Sequence, residues 1–191
     1  LVMVFDYSWL IGGPQGSGVD TAANIFSRVG TKLGYHVFGK REYHSNIKGL
    51  HSYFVVRLSD NKIRSNVNGA NIMVAFDAET MIRHGLSISK NGAIIYDSSI
   101  VNTSIDEIQT IEADHRVRLS EFFKSKNMEP KVSSIIELAK ESGVNVYPIS
   151  FWDALSNIAD ELKRPELSRM TRMFNVLGVS FSLGVLKAPI A

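Results

Sequence analysis

The chain of 191 residues contains no cysteine, which excludes a disulfide framework, a thiolate-held iron–sulfur cluster and a cysteine-type structural zinc site in this polypeptide. Cluster-based electron chemistry would have to reside on another chain. Charge of one sign is also scarce: 21 Lys and Arg against 19 Asp and Glu leave a formal net charge of +2. That surplus is too small to point to nucleic acid or an anionic membrane as a partner, so any basic patch is local. A long hydrophobic run is missing too. The most apolar late stretch, 173–186, spans about 14 residues with glycines and serines among them, short of the roughly 20 that a membrane helix needs, and it reads as a buried helix. The apolar start at 1–11 carries Asp6, lacks a basic flank and runs into a glycine loop, unlike a secretory signal; the expectation is a cytoplasmic location. Because the chain opens on Leu1 and stops at Ala191 without a polar tail, it is expected to be part of something longer. With 45% hydrophobic and 21% charged residues, collagen-like, disordered and low-complexity classes are excluded. The length suits one domain.

Short apolar runs alternate with longer amphipathic ones, the pattern of strands linked by crossover helices. A first strand is expected over 2–11, followed by a helix over 19–33, in which Ala22, Ala23, Phe26, Val29, Gly30 and Leu33 recur at helical spacing and Gly34 takes the C-cap. A brief strand at 35–38 leads into a polar segment at 40–50, then a strand at 51–58 rich in aromatic and β-branched residues. The nearly continuous apolar run 71–76 suits a central parallel strand covered on both faces. A short helix over 78–87, a turn at Lys90-Asn-Gly92 and a buried strand at 93–96 follow. The block 105–130 holds much of the charge and reads as a partly helical elaboration. Beyond it, Val132, Ile135, Ile136 and Ala139 mark a helix closed by Gly143, 145–147 a strand, and Ser150-Phe-Trp-Asp153 a capping-box variant opening a helix to Leu162. Pro165 starts the last helix or helix pair. The expected architecture is one three-layer α/β domain over 1–191, a mainly parallel sheet with helices on both faces.

Two segments carry chemistry. Gly12-Gly13-Pro14-Gln15-Gly16-Ser17-Gly18 lies between a predicted strand and a predicted helix, where backbone N–H groups and the helix N-terminus make an anion site. The spacing is neither the dinucleotide fingerprint, since Gly13, Gly16 and Gly18 are three and then two apart, nor a P-loop, since no Lys-Ser/Thr follows. A tight structural turn and an anion cradle account for it equally well. A phosphorylated ribose would suit Lys40 and Arg41 at the end of the second strand, which keeps an NADP-binding oxidoreductase as an alternative. The second segment, 41–53, packs charge, amide, hydroxyl, imidazole and ring side chains together. Its His44 and His51 match no usual zinc spacing and are expected as hydrogen-bonding surface residues. A pure interaction module, with this segment as a subunit interface, is a further alternative.

The runs Ile11-Gly-Gly-Pro-Gln-Gly-Ser-Gly-Val-Asp-Thr-Ala-Ala-Asn-Ile-Phe26 and Phe38-Gly-Lys-Arg-Glu-Tyr-His-Ser-Asn-Ile-Lys-Gly-Leu-His-Ser-Tyr-Phe54 resemble the γ domain of 2-oxoacid:ferredoxin oxidoreductases, in the form fused at the N-terminus of the α subunit. Val56-Arg-Leu-Ser-Asp60, Ile72-Met-Val-Ala-Phe-Asp77, Gly92-Ala-Ile-Ile-Tyr-Asp97 and Asn175-Val-Leu-Gly178 add to the resemblance, which weakens only over 105–130. It implies a Rossmann-like γ domain followed by an α domain. The implied complex oxidatively decarboxylates a 2-oxoacid on thiamine diphosphate with magnesium, passes two electrons through iron–sulfur clusters to ferredoxin and transfers the acyl group to coenzyme A. The β subunit and the α domain would be the partners and would hold the thiamine and cluster sites. This chain would contribute coenzyme A binding and assembly, and would be inactive alone. It would itself hold no catalytic residue, metal, nucleic acid or membrane. The residues that the resemblance assigns to ligand contact are Gly13, Gln15, Gly16, Ser17 and Gly18 in the loop, with Arg41, Ser45, Asn46 and Lys48 in the polar segment. Arg57 is a further candidate unless it pairs with Asp60 or Asp77. Pro14, Ser17 and Leu50 depart from the family pattern, and Pro14 removes one N–H from the cradle. Tyr147-Pro-Ile-Ser150 echoes a motif of the family's α domain but reads as a strand passing into a capped helix.

Overall fold

In the computed structural model, which describes residues 5–14, 16–43, 51–170 and 173–187, six strands form one sheet in the order β2-β3-β1-β4-β5-β6. The strands are β1 (Asp6–Pro14), β2 (His36–Tyr43), β3 (His51–Ser59), β4 (Ala70–Ala75), β5 (Ile88–Asp97) and β6 (Asn145–Ile149). β4 is parallel to β1, β5 to β4 and β6 to β5, whereas β3 is antiparallel to both β1 and β2. Five strands therefore share one direction and β3 alone opposes them. Among the described residues six helices pack around the sheet: α1 (Val19–Lys32), α2 (Ala78–His84), α3 (Ala113–Ser125), α4 (Val132–Glu141), α5 (Phe151–Glu161) and α6 (Phe174–Val185).

Period-two alternation along the strands divides the core between the two faces. Trp9, Ile11, Ile72, Val74, Ala93 and Ile95 join the cluster with Phe26 of α1, Phe151 and Leu155 of α5, and Leu177 and Val179 of α6. Leu10, Met73, Ala75, Ile94 and Tyr96 point the other way, onto Met81 of α2, Phe123 of α3 and Ile135 of α4. This is the three-layer arrangement expected from the sequence. The last helix is tied to the first strand by a buried chain of bonds. Trp9 Nε1–H donates to Ser182 Oγ (2.8 Å), and Ser182 Oγ–H donates to the Gly178 carbonyl (2.7 Å).

Several boundaries differ from expectation for physical reasons. β2 runs on to Tyr43, through residues read as part of the polar segment, because it pairs with β3 along its whole length, up to Tyr43 against Ser52. As an edge strand it tolerates charge such as Lys40 and Glu42. Lys90-Asn-Gly92 lies inside β5: Asn91 is left-handed (φ 64°) and the register against β4 shifts there, so the turn-forming residues build a bulge. In the charged block, Ser104 and Glu107 form a capping box around a 3₁₀ turn at Ile105–Glu107. Arg116 of α3 then donates to the carbonyls of Ile105 and Ile108, both at 2.8 Å, which folds the block onto itself. Ser150 caps α5 by accepting from the Asp153 N–H (3.3 Å), and Tyr147-Pro-Ile-Ser150 is the end of β6 and that cap. The later part of the chain forms a 3₁₀ turn, Pro165–Arg169, and α6. No helix among the described residues is long and apolar enough to cross a membrane.

Candidate functional site: the glycine loop at the sheet rim

β1 leads through α1 to the β2/β3 side of the sheet, while β4 leads through α2 to β5 on the other side. The carboxyl ends of β1 and β4 therefore flank a topological switch point, the place where open α/β sheets leave a crevice for ligands. The glycine loop stands at this point. Antiparallel β3 begins here as well, with His51 opposite Pro14 and Ser52 opposite both Gly13 and Tyr43. The end of β1, the end of β2 and the start of β3 thus meet at one rim.

Within the loop the Ser17 N–H donates to the Pro14 carbonyl (3.0 Å), and the Gly18 carbonyl accepts from the Ala22 N–H (3.0 Å) to begin α1. Gly18, the N-cap, is left-handed (φ 83°), as is Gly16 (φ 94°), a conformation that costs little only without a Cβ. No side chain caps α1, so the N–H groups of Val19, Asp20 and Thr21 have no intrahelical acceptor and carry the positive end of the helix dipole. Close approach also demands glycine. A methyl on Gly13 would stand 2.7 Å from Ser17 Oγ, and one on Gly18 would collide with the Asn175 carboxamide, 2.5 Å from its Cγ. Ser17 Oγ and Asn175 Oδ1 are buried and make no hydrogen bond.

Arg41, at the end of β2, reaches across to form an ion pair with Asp20 in the first turn of α1. It therefore belongs to the rim, held by a carboxylate of the loop's own helix. Gly13, Gly16, Ser17, Gly18 and Arg41 come together as the sequence led us to expect. Gln15, Ser45, Asn46 and Lys48 lie outside the described residues. Arg57 is placed elsewhere: it pairs with Asp6 (2.6 and 2.8 Å) and donates to the Ser65 carbonyl (2.9 Å) at the opposite end of β1. Neither Asp60 nor Asp77 is its partner in that network, and the Arg57 hydrogen bond holds the Asp6 carboxyl below its usual value.

Across the β1/β4 crevice, Asp77 caps α2 by accepting from the Thr80 N–H (2.8 Å) and Oγ1–H (2.5 Å). Burial pushes its carboxyl above the usual carboxylate range, against the pull of those two bonds. His51, expected at the surface, is 1% exposed. Its ring lies beneath Gly12, where an added Cβ would be 3.1 Å from Cε1, and its Nε2 is 3.2 Å from His84 Nε2. At that distance one imidazole donates to the other. Tyr53 lies against His84 (ring centroids 4.3 Å) and borders, with Arg83, His115 and Arg118, an open groove of about 420 Å³. Burial raises the Tyr53 phenol above its ordinary value. Arg83 is itself held by Glu79 (2.7 Å) and Glu112 (3.1 Å). Sequence reasoning gave no site role to Thr80 or His84, nor to Asn175, which entered only within the Asn175-Val-Leu-Gly178 match. For Asn175 a signal existed, a single amide in the first turn of a mostly apolar helix.

A glycine-rich strand-to-helix turn, with the first N–H groups of its helix lacking an intrahelical acceptor, stands at the switch point of a three-layer α/β sheet. Residues 8–191 match the family model described as pyruvate ferredoxin/flavodoxin oxidoreductase. The α subunit of 2-oxoacid:ferredoxin oxidoreductase 1 from Sulfurisphaera tokodaii is 39% identical over 179 residues, covering 94% of this chain and 28% of that subunit. The α subunit from Saccharolobus solfataricus is 39% identical over 180 residues, with the same two shares. The chain belongs to the pyruvate ferredoxin/flavodoxin oxidoreductase family, and it spans under a third of the length of these relatives. Solved structures share the fold. A 2-oxoglutarate:ferredoxin oxidoreductase from Magnetococcus marinus, with 2-oxoglutarate, coenzyme A and succinyl-CoA bound, superposes with a TM-score of 0.53 at 17% identity, over 97% of this chain and 32% of that one. The gamma subunit of a keto/oxoacid ferredoxin oxidoreductase from Geobacter sulfurreducens gives 0.55 at 13% identity, over 94% and 78% respectively.

Proposed function

We propose that this chain is the γ-type domain of a 2-oxoacid:ferredoxin oxidoreductase, that its glycine loop binds coenzyme A, and that the surrounding rim docks the catalytic parts of the complex. The observation that carries the reading is the loop itself: an uncapped α1 N-terminus beside two buried, unpartnered polar atoms, Ser17 Oγ and Asn175 Oδ1. Buried polar groups without partners are rare in folded proteins and call for an explanation. Phosphate oxygens accept from helix-terminal N–H groups and from a serine hydroxyl, so the loop residues fit a phosphate-bearing coenzyme. Gly13, Gly16, Ser17 and Gly18 would hold it, with Arg41 alongside, and its thiol would accept the acyl group released by decarboxylation. In this reading, thiamine diphosphate, magnesium and the iron–sulfur cluster belong to the α domain and the β subunit, the latter two being the assembly partners, and ferredoxin takes the electrons from the complex.

The test is a ¹⁵N-NMR titration of the chain with coenzyme A. The amides of Gly13, Gly16, Ser17, Gly18 and Val19 shift at millimolar ligand. Unmoved loop amides overturn the binding role and leave docking alone, which Lys48→Glu probes through loss of co-purification with the β subunit. The chain by itself turns over no 2-oxoacid; decarboxylation by the purified chain would refute the division of labour.

A further inference from the structure

Asn175 opens α6, far along the sequence from the loop, yet its carboxamide fills the space against Gly18 that any side chain there would need. The residue is 3% exposed and its Oδ1 meets no donor. Packing does not account for an amide at this position. Phe174, Leu177 and Val179 around it belong to an apolar cluster, and a leucine, which branches at the same carbon with the same number of side-chain heavy atoms, would extend that cluster without stranding a polar atom. Ser17 Oγ, one residue before Gly18, is stranded in the same way. Two unsatisfied groups therefore flank the glycine that starts α1, next to the N–H groups of Val19, Asp20 and Thr21, which have no acceptor within the helix.

We propose that Asn175 is a ligand-contact residue of the glycine-loop site, and that with Ser17 and the first turn of α1 it binds the diphosphate bridge of the coenzyme. The inference rests on the reading of this loop as a coenzyme A site. Of the carboxamide atoms Nδ2 is the one nearest Gly18, so the side chain already turns its N–H donors toward an anion lying on the helix terminus. The Ser17 hydroxyl adds a second donor. Arg41 on neighbouring β2 is paired with Asp20, so the donors closest to Gly18 are neutral dipoles. Neutral donors suit the single charge carried by each phosphorus of a diphosphate diester. A dianionic phosphate monoester is matched better by charged partners.

The experiment follows the Asn175 side-chain NH₂ resonances of the full ¹⁵N-labelled chain during titration with coenzyme A, with dephospho-coenzyme A, which keeps the diphosphate but lacks the terminal monoester, and with pantetheine, which has no diphosphate. The first two shift these resonances and pantetheine does not. Asn175→Leu melts at or above the temperature of the parent and binds coenzyme A about tenfold more weakly, the loss of roughly one good hydrogen bond. Loop amides that shift while the Asn175 resonances stay fixed overturn the inference and leave the coenzyme A site standing. So does an Asn175→Leu variant that melts lower with affinity unchanged, since that marks a structural residue. A shift with pantetheine overturns the diphosphate assignment. If no resonance of the loop or of Asn175 responds to coenzyme A, the underlying reading fails and the inference falls with it.

Discussion

Replacing Gly18 by alanine separates two costs that the structure assigns to this one residue. Its φ of 83° lies in the left-handed region, where an L side chain pays about 1–2 kcal/mol. The added methyl would also press on Asn175, 2.5 Å from Cγ and 2.6 Å from Oδ1, and forcing a packed neighbour aside costs typically about 1–3 kcal/mol. Gly18→Ala should therefore lose about 2–5 kcal/mol of a total that is commonly about 5–15. Gly16 is the internal control: it is also left-handed (φ 94°), but an added Cβ would meet nothing within 4 Å, so Gly16→Ala should lose only the conformational part, about 1–2 kcal/mol. At roughly 2–4 °C per kcal/mol for a chain of this size, the two variants should melt about 2–12 °C apart. Urea unfolding measures the same difference at fixed temperature. Combining Gly18→Ala with Asn175→Ala removes the obstacle, and a double-mutant cycle should return about 1–3 kcal/mol as coupling between the two positions. Equal destabilisation by Gly16→Ala and Gly18→Ala, or a cycle with no coupling, would refute the claim that Asn175 packs onto the loop.

Arg83→Leu leaves Glu79, which is 6% exposed, without its 2.7 Å partner, and should cost about 3–5 kcal/mol in urea unfolding because a buried carboxylate is stranded; a loss below 1 kcal/mol would show that Thr110, which also bonds Glu79, compensates alone. Asp77 has a carboxyl pKa raised by burial, so its folded form binds the proton more tightly than the unfolded chain, and its contribution is favourable at low pH and declines as pH rises from about 4, the unfolded value. Asp77→Asn keeps an acceptor for the Thr80 N–H and removes that decline, so its stability relative to the parent should improve from pH 4 to pH 7; an unchanged difference across that range refutes the assignment.

The rim was legible in the sequence where chemistry and local geometry coincide. Glycine at 13, 16 and 18 between an apolar run and an amphipathic one requires a tight strand-to-helix turn, whatever surrounds it, and the α1 periodicity from Ala22 to Gly30 marks the face that packs. The absence of cysteine excludes thiolate ligands and disulfides from this polypeptide. These are local properties, carried by residues close together along the chain. The direction of β3 was beyond such reasoning, because a strand reads the same in either direction and only hydrogen-bond pairing with β1 and β2 sets it. The burial of His51 follows from that pairing, which puts its ring under Gly12. Arg57 found Asp6 for the same reason, since antiparallel register brings those two side chains together at the far end of the sheet. Asn175 is the clearest case. Nothing near it in sequence announces the loop, and its contact with Gly18 exists only because the last helix folds back over the first strand, fastened there by Trp9 and Ser182.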